Sequence, residues 1–202
     1  MPLAFLVGLG AISLFNLGSV SQTANWVDHT RVVLASATKI IGSAVDIETG
    51  MRGYLLAGKE DFLDPYNQGE KTTYAGIEAL QEVVNDNPAQ VERLGEAAKI
   101  LHDWQADVTE PAIALRREIG DAKTMNDMAD LVGEARGKVY FDKFRGQIGE
   151  FIQRETTLLD KRRAEFETAQ GAVIDDFDLS VKTMGWVDHT HRVLAQISEI
   201  FA

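Results

Sequence analysis

The chain has no cysteine, which excludes disulfides, zinc-thiolate sites and cysteine nucleophiles and leaves the compartment open. Proline is scarce, at four residues, and no Gly/Ser-rich stretch is present, so a long disordered linker is excluded. Positive charge is also short. Twenty Lys and Arg against 31 Asp and Glu give a formal net charge of −11. Phosphate binding needs concentrated basic side chains, so nucleic acid is excluded as a partner, and extended contact with anionic lipid is disfavoured. The plain meaning of the acidity is a solvated surface. Charge of either sign is absent from Pro2 to Val20, and the first charged residue is Asp28.

That uncharged stretch reads PLAFLVGLGAISLFNLGSV. As a helix it is about 28 Å long, close to the roughly 30 Å of a bilayer core. We expect a transmembrane helix over residues 2–20, with Ala4, Gly8, Ala11 and Gly18 as places where a second helix approaches closely. A signal peptide would need a basic leading region, and this one has none. A buried core helix would be unusual with so many uncharged positions in a row. No basic residue precedes the stretch, so the positive-inside rule does not orient it. The last residues, ISEIFA, stop inside a periodic segment, and we expect the chain to be part of a longer protein.

The apolar pattern is helical throughout. Trp26, Thr30, Val33, Ala37, Ile40, Ala44, Ile47, Met51 and Tyr54 alternate spacings of four and three, a heptad seam on one long helix ending near Ala57, with Gly58 as its cap. A second helix is expected from about Asp61 to Val84, with Pro65 near its start. Asn87-Pro88 reads as an N-cap and first helical position of a third, ending near Gly120 and kinked around Glu110 by Pro111. Thr124 and Asp127 resemble a capping box opening a fourth. That helix carries Phe141, Phe144, Ile148, Phe151, Leu158, Phe166, Ala169, Val173 and Phe177 and runs toward the chain end. The fold class this gives is all-α: an up-down four-helix bundle with very long first and last helices, emerging from the same end.

One repeat crosses that pattern. Trp26-Val27-Asp28-His29-Thr30 recurs as Trp186-Val187-Asp188-His189-Thr190, and Val33-Leu34-Ala35 and Ile40 match Val193-Leu194-Ala195 and Ile200 at the same offset of 160. We read this as two successive modules, a bundle over residues 21–178 and the start of a second copy over 179–202.

The segment Asp46-Ile47-Glu48-Thr49-Gly50-Met51-Arg52-Gly53-Tyr54-Leu55-Leu56-Ala57-Gly58 is a specific signal. It is followed by Phe62-Leu63-Asp64-Pro65-Tyr66, Trp104, Pro111 with Arg116-Arg117, Gly137-Lys138, Phe141-Asp142, Arg145, Glu155, Leu158-Leu159 and Arg162. Over about residues 23 to 170 these resemble the third of the CHASE families, extracytoplasmic sensory domains that stand in front of histidine kinases, cyclases and chemotaxis receptors. The chain departs from the simplest pattern in having the repeat, and no second apolar span, after the fourth helix. The resemblance implies the bacterial inner membrane, with the bundle on the periplasmic side, a parallel homodimer, and a cytoplasmic output, for which we favour chemotaxis over a histidine kinase.

The motif also has a physical reading. Glu48 and Arg52 are four apart with Glu first, the favourable order, and lie in line with Leu34, Ile41, Val45 and Leu55. Glu155 and Arg162 lie in line with Ile148, Phe151, Leu158 and Phe166. We expect a polar layer of Asp46, Glu48, Arg52, Glu155 and Arg162 facing other helices, near neutral for stability and suited to fixing register or to switching. Gly50 and Gly53 inside a helix imply close helix contact. Arg52, Tyr54, Tyr66, Trp104 and Arg116 could instead line a pocket for a small carboxylate, the alternative being a purely structural layer with packed aromatics. The ligand could be a small molecule or a periplasmic protein. His29, His102, His189 and His191 have no i, i+4 pair, so no metal is expected. No cofactor and no nucleophile elbow, phosphate loop or zincin motif is found, and paired acids such as Asp175-Asp176 read as a solvated face, so we expect no enzyme. The competing reading is a rigid spacer or dimerisation bundle that binds nothing small.

Overall fold

The computed structural model describes residues 2–119, 124–133 and 136–200; the side chains of 2–6, 131–133, 136 and 199–200 lie outside that description. Among the described residues the chain is helical and has no strand element. Helix α1 is Pro2–Ala57, followed by a 3-10 turn over Glu60–Leu63 and α2 over Asp64–Val83. Next come α3 (Pro88–Trp104), a π-helical turn (Gln105–Thr109), α4 (Glu110–Glu118), a short α5 (Met125–Gly133) and α6 (Arg136–Ile200). As compact units, residues Arg31–Thr157 form one, and Met1–Thr30 with Leu158–Ala202 form another.

Within residues 31–157 the heptad seam is the core. Val33, Ala37, Ile40, Ala44, Ile47, Met51 and Tyr54 of α1 are all buried, in one cluster with Ile77 and Leu80 of α2, Leu94 and Leu101 of α3, and Phe144, Ile148 and Phe151 of α6. Burying each such large apolar side chain is worth about 1.5–3 kcal/mol against leaving it in water. Glycines set the α1–α2 distance. A Cβ on Gly50 would sit 2.5 Å from the Tyr66 backbone nitrogen, and one on Gly69 would sit 2.6 Å from the Ser43 carbonyl oxygen. These glycines weaken their helices and let two backbones nearly touch. Gly58 ends α1 with φ at +66°, its N–H donating to the Tyr54 carbonyl at 2.7 Å.

The helix boundaries refine the expected ones. Asn87 caps α3, its side-chain oxygen accepting from the Gln90 N–H at 3.4 Å. The expected kink near Glu110 is a π turn, with the Glu110 N–H donating to the Gln105 carbonyl. Pro111 has no N–H to continue the ladder, and one extra residue in the turn absorbs the mismatch. The Thr124–Asp127 capping box is present: the Thr124 N–H donates to Asp127 Oδ2 at 2.7 Å and the Asp127 N–H to Thr124 Oγ1 at 3.4 Å. It opens α5; residues 134–135 lie outside the described residues, and α6 is described from Arg136.

In the other unit, Asn16 Nδ2 donates to Asp176 Oδ2 at 2.5 Å. Val7, Leu14, Phe15 and Leu17 are exposed. Among the described residues no helix is long and apolar enough to cross a membrane. The expected span over residues 2–20 takes its first five side chains from outside them.

Candidate functional site

One cavity lies within residues 31–157 and measures about 380 Å³. Its floor is apolar, made by Met51 and Leu55 of α1, Trp104 of α3, Val108, Ala112 and Phe141. Its rim is charged, made by Glu48, Arg52, Asp107, Lys138, Asp142 and Arg145. A cavity of this size, apolar with a few convergent polar groups, has the make-up of a small-molecule site.

Glu48 accepts from Arg52 Nη2 at 2.6 Å on its own helix and from Arg145 Nη2 at 3.5 Å on α6. Asp142 is paired with Lys138, and Asp107 accepts from the Tyr140 hydroxyl at 2.7 Å. The acids are therefore engaged. Each arginine has five N–H donors, and only one nitrogen of each meets Glu48. Trp104, in the same wall, is 1% exposed, and among the described residues its Nε1–H has no hydrogen-bond partner. That nitrogen lies beside Gly137, another wall residue, where a Cβ would sit 3.5 Å away. A buried donor without an acceptor costs about 1–3 kcal/mol, so it calls for an explanation. The rim carries three acids and three bases, and the N–H groups its arginines do not give to Glu48, with the Trp104 N–H, suit a ligand that brings acceptors. Arg145 also stacks on Phe141, its guanidinium carbon 4.5 Å from the ring centre, which ties the rim to the floor.

Of the five residues expected around a pocket, the structure brings together Arg52 and Trp104. The other three serve elsewhere. Tyr54 is buried, donates to Glu60 Oε1 at 3.1 Å and lies under Arg117. Arg116 Nε donates to the Leu55 carbonyl at 2.9 Å, closing the C-terminus of α1, where a cation is favoured. A Cβ on Gly58 would collide with that guanidinium.

Tyr66 belongs to a closed polar ring on the π turn. Gln105 Nε2 donates to the Tyr66 oxygen at 3.1 Å, and Tyr66 and Thr109 share a bond at 3.2 Å. Thr109 Oγ1 donates to the Gln105 carbonyl at 3.2 Å, so Tyr66 must be the donor to Thr109. Gln105 also donates to Glu70 at 3.0 Å and accepts from the Tyr74 hydroxyl at 2.6 Å. Burial, with Glu70 beside it, pushes the Tyr74 hydroxyl well above the usual phenol range and keeps it a donor.

The expected polar layer is corrected into separate arrangements. Asp46 is exposed. The Arg52 side chain is 67% exposed and Glu48 15%, so this pair stands at a cavity rim and not inside the core. Glu155 is buried and accepts from Gln90 Nε2 at 2.9 Å, an amide and not an arginine. Arg162, in the other unit, donates to Thr30 Oγ1 and to the Trp26 carbonyl at 3.4 Å, with its guanidinium 4.6 Å from the Trp26 ring centre. Seven residues of α6 separate Glu155 from Arg162, about 10.5 Å of rise, so sharing a helix face did not put them in one layer. Arg145, Lys138, Asp142 and Asp107 were not among the expected site residues. The spacing of Lys138, Phe141, Asp142 and Arg145 on one helical face was the available signal. Among the described residues no group of three or more His, Asp or Glu could hold a metal ion.

This architecture is an all-helical bundle with an apolar cavity under an ionic rim. Residues 23–165 match the CHASE3 domain, and the chain belongs to that family. Among solved structures the chain is similar to the sensor domain of the histidine kinase HK9 of Rhodopseudomonas palustris, at 23% identity and a TM-score of 0.56, over 65% of this chain and 98% of that one. That likeness is one of fold. No curated protein matches the chain. The chain is thus an extracytoplasmic sensor domain of a signal-transduction receptor, in a family that is sensory and not catalytic.

Proposed function

We propose that residues 31–157 sense a small carboxylate with an apolar body, bound in the cavity with its carboxylate toward Arg145, Arg52 and the Trp104 N–H. The observation that carries this is the buried Trp104 Nε1–H, unpartnered among the described residues, in the wall of a cavity where each arginine meets Glu48 through one nitrogen. A carboxylate there competes with Glu48 for Arg145. The Glu48–Arg145 bond joins α1 to α6. Loosening it lets those helices shift by about 1–2 Å, the usual scale of such relays.

The receptor in this reading is a homodimer anchored in the bacterial inner membrane through residues 2–20, and we favour a chemotaxis signalling rod over a histidine kinase as its output. The exposed Val7, Leu14, Phe15 and Leu17 support the anchor. The Asn16–Asp176 bond sets a condition on it. α6 carries Asp175, Asp176 and Asp178 there, and carboxylates do not enter hydrocarbon, so membrane insertion requires this pair to part.

The spacer reading draws on the rim ions, which also pair with one another. Thermal denaturation separates the two. Butyrate, hexanoate and cyclohexanecarboxylate, with their methyl esters as controls, are the probes. At about a hundred times Kd a bound acid adds about 2.7 kcal/mol, a Tm rise of roughly 5–10 °C for a chain this size. The sensor reading requires a rise with at least one acid, smaller for its ester and lost in Arg145→Gln. No shift with any acid leaves the spacer.

A further inference from the structure

The repeated motif sits in two different surroundings. In its first copy, Trp26 is 40% exposed under the Arg162 guanidinium, and Thr30 is fully buried. The Thr30 hydroxyl donates back to the Trp26 carbonyl at 2.9 Å and accepts from Arg162. The seam continues as Val33, Ala37 and Ile40, each buried. In the second copy the backbone and the back-bond are the same: Thr190 Oγ1 donates to the Trp186 carbonyl at 2.8 Å. Yet Trp186 is 80% exposed, and Thr190, Val193 and Ile197 are exposed too. The seam positions are kept as Trp186, Thr190, Val193 and Ile197, counterparts of Trp26, Thr30, Val33 and Ala37. An apolar heptad face of this length on an exposed helix marks an interaction site.

We infer that the face carrying Trp186, Thr190 and Val193 docks the last helix of a second module of this same kind, a segment equivalent to residues 158–169, whose arginine covers Trp186 and bonds Thr190 as Arg162 does Trp26 and Thr30. The identical five-residue motif fixes the chemistry of the cover: a cation over the indole, a donor to the threonine, and apolar neighbours. A parallel second copy of α6 would supply apolar neighbours but no cation over the indole and no donor to the threonine, and it would set Asp176, which falls on the same seam, against itself. The consequence is that α6 is a shared element, the closing helix of one bundle and the opening helix of the next.

The native absence of cysteine makes the test clean. Thr190→Cys reports the docked position. Arg192→Cys is the control, because its counterpart Val32 is exposed in the first copy. Thiol labelling is compared in the 202-residue chain and in a chain extended after Ala202 by a second copy of its own residues 43–170, which continues the repeat in register. In the extended chain, labelling at position 190 slows at least about tenfold while position 192 stays fast, and replacing the appended copy of Arg162 by Ala restores the rate. Equal rates at the two positions in the extended chain overturn the inference. So does an appended segment that adds no helix by circular dichroism, because α6 would then not have opened a bundle. Concentration-dependent protection of position 190 in the 202-residue chain also overturns it, since a second copy would then be the cover.

Discussion

Two polar clusters within residues 31–157 are built in opposite ways. In the ring of Gln105, Tyr66 and Thr109 the described bonds close on themselves, with Glu70 and Tyr74 attached. At the cavity, Glu48 is shared by two arginines and the Trp104 N–H has no acceptor among the described residues. A closed buried network fixes one geometry, because opening it strands several groups at once. An open one leaves binding capacity for something else. The first holds the π turn in place, and the second sits where α1, α3 and α6 meet and is the part able to respond.

Breaking the closed cluster should have the largest effect. Gln105→Leu removes the bonds to Tyr74 and Glu70 and leaves Tyr66 with Thr109 alone, and it should cost about 3 kcal/mol in urea denaturation, with the fold kept. Trp104→Phe sharpens the contrast. A buried tryptophan truncated to alanine costs about 3–5 kcal/mol, but the phenyl keeps most of the volume and removes an unpartnered donor. Its cost should be about 1 kcal/mol, while the thermal response to carboxylates disappears. Arg145→Gln lies on the exposed rim and should change stability by roughly 0.5 kcal/mol, yet abolish the same response. The smallest effect concerns Glu60, fully exposed and bonded twice to Arg117, at 3.1 and 3.0 Å. The guanidinium holds its carboxyl below the ordinary value of 4.5. The associated stability is therefore complete above that value and is lost as pH falls through the lowered one. Arg117→Gln should flatten this acid limb slightly in pH-dependent melting curves.

Much of the bundle was legible because its signals are local. The heptad seam from Val33 to Tyr54 needs only spacing, and it is the buried line of α1. Gly50 and Gly58 announced a close contact and a cap by what they cost a helix, and both are found. The site was only partly legible. Tyr54, Tyr66 and Arg116 have the right chemistry for a carboxylate pocket, but their partners, Glu60, Gln105 and Leu55, come from other elements or beyond helix ends that spacing does not place. Arg145 meets Glu48 across 97 residues, a pairing no single-helix pattern contains.

The most direct probe is the indole N–H resonance of Trp104 in a proton–nitrogen NMR spectrum, assigned with Trp104→Phe, during titration with hexanoate and then its methyl ester. A new hydrogen bond to carboxylate should move this resonance downfield and saturate with the acid, far less with the ester, and not at all in Arg145→Gln. A resonance that stays put while the acid raises the melting temperature would contradict the account, because binding would then be taking place elsewhere.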